Sequence, residues 1–170
     1  MHKSAKKTIF TAIVLATLCL AAASSVIAGG IEKEAFFSTG YLTDIPDFGT
    51  STVLENGNIQ IRDMVTIQYS EATDDRITGY YKVVINVNVD ATWKGVLWGT
   101  IESCDEYGEP ISDGWKGTYH GQYFYWPPDN ALIESTGHGI GAYKGLKFTD
   151  TRAITGGGGG VVGTIQGTSE

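Results

Sequence analysis

The chain has 170 residues, with 19 acidic against 12 basic side chains and a formal net charge of −7. Such a balance repels nucleic acid phosphates and anionic membrane surfaces, and it argues against a partner of either kind. Of its two cysteines, Cys19 lies in an N-terminal leader, so Cys104 is left with no partner for an internal disulfide.

Lys3, Lys6 and Lys7 give a basic start, Ile9 to Ala23 is an uncharged and mostly apolar run, and Ser24–Ser25–Val26–Ile27–Ala28 closes it with a small residue. This order is that of a Sec-type signal peptide over residues 1–28, with cleavage after Ala28. The apolar run falls short of the ~20 residues that a membrane span needs. The expected product is therefore exported, to the periplasm or the outside medium, and keeps no stable membrane anchor. Residues 29–170 then form a single domain. Without the three leader lysines, Lys plus Arg falls from 12 to 9 against 19 acids, a net charge of −10.

After the leader no helical stripe is found. All 23 glycines lie beyond residue 28, interleaved with β-branched and aromatic residues, which is an all-β composition. Gly30 to Phe37 reads as a loose entry segment and Asp44 to Gly49, with Pro46, as a turn. Glu55–Asn56–Gly57–Asn58 is a hairpin signal, followed by a strand over Ile59–Tyr69 and a turn over Glu71–Asp75. Lys82 to Asp90 alternates cleanly: Val83, Ile85, Val87 and Val89 share one face, opposite Lys82, Asn86, Asn88 and Asp90. Further strands are predicted at Thr92–Glu102, Trp115–Tyr125, Ala131–Thr136, Leu146–Ile154 and Val161–Gln166. Trp126–Pro127–Pro128–Asp129–Asn130 is a turn, and the glycine run Gly156–Gly160 a flexible loop.

Trp93–Lys94–Gly95–Val96–Leu97–Trp98–Gly99 is echoed by Trp115–Lys116–Gly117–Thr118–Tyr119–His120–Gly121. As strands, each copy puts alternating bulky residues and glycines on one face, the way a small barrel fills its interior. With Gly108 at the centre of the connection, Gly95 would face Gly121, Gly99 would face Gly117 and Leu97 would face Tyr119. The fold expected is a single closed antiparallel β-barrel of about eight strands. Trp93, Leu97, Trp115, Tyr119 and Tyr123 are the candidate lining of a ligand-binding lumen.

Ser135–Thr136–Gly137–His138–Gly139–Ile140–Gly141–Ala142–Tyr143–Lys144–Gly145–Leu146–Lys147 adds a likeness. Together with the Trp-Lys-Gly strands and Gly160–Ile165, it resembles the allene oxide cyclase barrel-like proteins, a group that includes the dirigent proteins. The resemblance covers about residues 80–167. It implies an eight-stranded barrel whose central cavity handles hydrophobic or phenolic molecules. No motif matches the functional residues of the cyclase or of the dirigent proteins.

The residues show no catalytic motif. Gly137-x-Gly139-x-Gly141 lacks the strand-to-helix setting of a phosphate loop, and there is no Gly-x-Ser-x-Gly elbow. His120 and His138 are not at metal-ligand spacing, and His120 falls on the outward face. The acid pairs Asp74–Asp75 and Asp105–Glu106 sit in turns, and the acids around Cys104 blunt its thiol. No cofactor or metal is implied. The leading expectation is an exported barrel binding a small apolar or aromatic ligand. The alternatives are an isomerase or cyclase acting in the same cavity, and a carbohydrate or adhesion surface built on exposed Trp98 and Trp126.

Overall fold

The computed structural model describes residues 33–124, 130–155 and 158–167. They form β1 (Lys33–Asp47), β2 (Thr50–Val53), β3 (Ile59–Ala72), β4 (Gly79–Val89), β5 (Lys94–Cys104), β6 (Gly114–Phe124), β7 (Asn130–Ile140), a 3₁₀ turn at Gly141–Tyr143, β8 (Lys147–Thr155) and β9 (Gly158–Gln166). From β3 to β9 each strand pairs antiparallel with the next. β1 lies between β9 and β3, so eight strands close into a barrel and β2 is added beside the start of β3. Closure leaves these eight strands without a free edge. The predicted leader with its expected cleavage site, Cys19, Trp126 with the rest of its predicted turn up to Asp129, and Gly156–Gly157 lie outside the described residues.

The closing strand is where the structure departs most from the sequence pattern. The predicted loose entry at Gly30–Phe37 is a strand from Lys33 onward, paired Lys33↔Gln166 through Gly40↔Gly159 on one side. On its other side it pairs Ser38↔Ala72 through Asp47↔Val65. Pro46, the marker of the predicted turn, falls where this register slips, between Asp44 and Asp47. A bulge is one of the few places in a sheet that tolerates a residue without an N–H. What is left of the turn is Gly49, at φ 65°, whose N–H donates to Asp47 Oδ1 at 2.8 Å. The glycine run is likewise shorter as a loop than expected, because Gly158–Gly160 belong to β9, with Thr155 paired to Gly158.

The two tryptophan-led stretches are antiparallel neighbours, but their register differs from the expected one by two residues. Gly95 faces Tyr123, Leu97 faces Gly121, Gly99 faces Tyr119 and Ile101 faces Gly117. In the expected register glycine would oppose glycine and leave gaps, while Leu97 and Tyr119 would crowd each other. The observed one sets every glycine against a bulky side chain. The clearest case is Gly99, where an ideal Cβ would lie 1.7 Å from the Val84 carbonyl oxygen and 2.8 Å from the Tyr119 hydroxyl. With no Cβ in the way, the Tyr119 side chain crosses β5 and donates to Val84 O at 3.0 Å. Burial raises its phenol above the usual range. The extra residues enter in the connection: Cys104 bridges to Pro110 around an Asp105–Glu109 turn, and residues 111–113 follow before β6 begins.

The interior divides along the barrel axis. At one end Phe36, Ile77, Trp115, Leu146, Phe148, Val161 and Ile165 pack together. Toward the other end Val83, Leu97, Ile101, Tyr119, Ala131 and Ile133 form a second cluster. The β3–β4 connection covers the packed end. There Arg76 pairs with Asp74 at 2.6 Å and with Glu34, and its carbonyl accepts the Trp115 indole N–H at 2.7 Å. The hydrogen bond from Arg76 holds the Asp74 carboxyl below the usual carboxylate range. Outside, Thr100, Thr118, Thr136, Thr149 and Thr164 face one another across five strands, with the Thr149 and Thr164 hydroxyls 3.1 Å apart. Cross-strand threonine pairs of this kind each add a few tenths of a kcal/mol, up to ~1 kcal/mol.

Cys104 is buried, and burial, aided by the Asp105 charge, pushes its thiol up to about 11. A thiolate is the reactive form, so the folded protein is expected to resist a disulfide reagent at pH 8 and to react once denatured. Thiol release at the same rate with and without denaturant would contradict this burial.

Candidate functional site

The lumen holds a chamber of about 260 Å³. β4 contributes Val83, Ile85 and Val87, the inward set of its alternation. β5 and β6 add Leu97, Ile101, Tyr119 and Tyr123. Ile61 and Met64 of β3, Ala131 and Ile133 of β7, and Ile154 of β8 complete an apolar wall. The glycines of β5 and β6 let the strands approach closely around it: an ideal Cβ at Gly95, Gly99, Gly117 or Gly121 would lie 1.9, 1.7, 2.4 or 2.2 Å from a carbonyl oxygen of the adjoining strand.

Trp93 stands at the rim, lining the chamber while 38% exposed to solvent. Its backbone is left-handed, at φ 60°, a conformation that costs a bulky residue ~1–2 kcal/mol relative to glycine. Asp90 fixes this turn: its carboxylate accepts from the Thr92 N–H, the Thr92 hydroxyl and the Lys94 N–H, at 2.7, 2.7 and 3.1 Å. The Trp93 N–H donates to the Asp90 carbonyl at 2.9 Å.

Four of the five residues picked from the sequence, Trp93, Leu97, Tyr119 and Tyr123, thus meet at one chamber. Trp115 does not. It shares the inward face of β6, but four residues from Tyr119 along a strand amount to about 13 Å. That places it in the packed end, 1% exposed and edge-on to Phe148 at 5.4 Å.

The sequence reading passed over a polar group in the wall. Gln68 of β3, Ser135 of β7 and Arg152 of β8 line the same chamber. Arg152 Nη1 donates to Gln68 Oε1 at 3.2 Å. Arg152 also lines a smaller void of about 30 Å³ toward the packed end, together with Asp150, Ser38, Ser70 and Tyr81. Burial raises the Asp150 carboxyl above its ordinary range, against the opposing pull of Arg152 and Ser135. Among the described residues, the Arg152 Nε, Ser135 Oγ and Asp150 Oδ1 atoms are buried without a hydrogen-bond partner. A signal was present: in β8 the phase that carries Phe148 and Ile154 also carries Asp150 and Arg152.

The outer face offers less. Trp98 is half-buried, and the Arg62 guanidinium lies 5.1 Å from its ring centroid. Arg62 is itself fixed by the Ile61 and Val87 carbonyls and by Asn88 Oδ1. That ring therefore has a cation on it already, which leaves less of it for stacking on a sugar. His120 is outward and exposed, as its strand phase requires, with Nε2 3.5 Å from a Glu134 carboxylate oxygen. No three of His, Cys, Asp and Glu cluster as a metal-ligand set among the described residues.

No protein-family model, curated protein or solved structure matches the chain.

Proposed function

We propose that the protein is an exported, non-catalytic barrel that binds a small apolar or aromatic molecule in its lumen. The observation that carries this reading is the chamber of about 260 Å³. Protein interiors are close-packed. A barrel that leaves an accessible apolar space of this size among such side chains is arranged to take up something else. The basic, apolar and small-residue order of residues 1–28 supports export, and the likeness to allene oxide cyclase barrel-like proteins belongs to the same proposal.

The test is titration with N-phenylnaphthylamine, a neutral apolar fluorophore that brightens out of water. Saturable one-to-one binding is expected. Trp93→Gly should weaken it about three- to tenfold by removing an aromatic contact, without lowering the melting temperature, because the left-handed backbone is relieved. No binding by the wild-type chain contradicts the reading. A large fall in melting temperature would make Trp93 a structural residue.

A second reading, an isomerase or cyclase in the same chamber, draws on the polar groups of its wall, Tyr119, Ser135 and Arg152. Recovery of the bound molecule unchanged after long incubation separates binding from turnover.

A further inference from the structure

Resting on the lumen reading, we infer that the ligand is amphipathic and carries a single anionic head, a carboxylate or a group of like shape and charge, seated against Arg152 and Ser135. An apolar chamber alone would select any hydrophobic body of the right size. Apart from its tyrosine hydroxyls, of which that of Tyr119 is bonded to the Val84 carbonyl, this one is apolar except for a polar patch of Gln68, Ser135 and Arg152, contributed by three strands. Two atoms of that patch, Arg152 Nε and Ser135 Oγ, are buried without a partner at hydrogen-bond distance among the described residues; Ser135, 5% exposed, stands across the β7–β8 ladder from Asp150, whose Oδ1 is likewise unpaired and whose carboxyl the Ser135 hydroxyl helps to hold down. Unpaired buried donors are costly and few in folded proteins, and each one requires a cause.

The patch favours an acceptor that is charged. Arg152 and Ser135 both have a hydrogen to give, and the Arg152 guanidinium cannot lose its proton. Among the described residues its one hydrogen bond goes to the neutral Gln68 carbonyl and no carboxylate lies within 4.0 Å of it, although its charge reaches the Asp150 carboxyl. A planar carboxylate can take a hydrogen from the guanidinium and another from the serine hydroxyl, and charge-assisted bonds of this kind are about twice as strong as neutral ones. Asp150, on the same face of the same strand, opposes an anion. It faces Ser135 across the ladder but lines the smaller void and not the chamber, so a head entering from the chamber meets the guanidinium before it reaches the level of Asp150. Burial also disfavours the charged form of Asp150, which lessens its opposition.

The test is competition against bound N-phenylnaphthylamine by phenylbutanoate and phenylbutanol, two probes with one body and different heads. In the wild-type chain the acid is expected to compete about tenfold better or more. In Arg152→Met, which keeps the volume and removes the charge, the ratio should fall to about twofold or less, and Ser135→Ala should narrow it in part. The ratio is read within each variant, so a general change in affinity cancels. Equal competition by the acid and the alcohol in the wild-type chain overturns the anionic head and leaves the lumen reading standing. Failure of N-phenylnaphthylamine to bind at all overturns the lumen reading itself.

Discussion

Trp115→Ala is expected to cost about 3–5 kcal/mol of folding stability, the range for truncating a fully buried aromatic. Trp115 is 1% exposed and touches the fold from several sides. Its ring is edge-on to Phe148 and tilted against Tyr143, each at 5.4 Å, and its indole nitrogen is bonded to the Arg76 carbonyl of the β3–β4 connection. Alanine would leave a cavity in the end of the barrel that is already packed, strip a partner from a carbonyl beneath the loop, and unseat the loop itself. The urea midpoint should fall accordingly. A loss below about 1 kcal/mol would mean that this end of the barrel is not the packed core described here.

Gly99→Ala should be destabilising by about 3 kcal/mol, at the upper end of ordinary overpacking, because the new methyl meets backbone and not a yielding side chain. The ideal Cβ falls 1.7 Å from Val84 O, and the Tyr119 hydroxyl that bonds the same carbonyl lies 2.8 Å away. One added carbon must therefore push β4 and β5 apart or expel Tyr119 from its bond. Gly40→Ala is the matched control. It also sits in a strand, and its nearest heavy atom, Tyr69 O, is at an ordinary 3.5 Å. There alanine should cost nothing, and could add a few tenths of a kcal/mol by restricting the unfolded chain. Similar midpoints for the two variants, measured side by side in urea, would contradict the close approach at Gly99.

These two sites also mark how far the fold could be read from the chain. The alternation of Val83, Ile85 and Val87 names the inward face of β4 from four or five residues, because the period of a strand is local. The alternation of glycine with bulky residues in the Trp93 and Trp115 stretches is local too, and it points to a barrel interior. Register is not local. It depends on the extra residues between Cys104 and Gly114, and on glycines seeking bulky neighbours across the ladder, and it differs by two residues from a hairpin centred on Gly108. The closing strand was hidden for the same reason. Its partners are residues 65–72 and 159–166, distant in sequence, and Pro46 imitates a turn in what is a bulged strand.

The site was legible to the same depth. Leu97, Tyr119 and Tyr123 follow from strand phase alone. Trp115 obeys the same phase but occupies another level of the barrel, and alternation says nothing about depth along the axis. Gln68, Ser135 and Arg152 were missed because each is an ordinary polar residue in its own strand. Their meaning comes from converging on one patch of an apolar wall, which only closure of the barrel brings about.

The barrel interior holds an accessible apolar chamber at one end and a filled core at the other. The most direct measurement is methyl NMR during titration with N-phenylnaphthylamine. The methyls of Val83, Leu97 and Ile133 should shift with a common binding constant, while those of Leu146 and Ile165, in the packed end, hold still. Shifts confined to the outward methyls of Val96 and Leu132, or spread evenly over both ends, would contradict it.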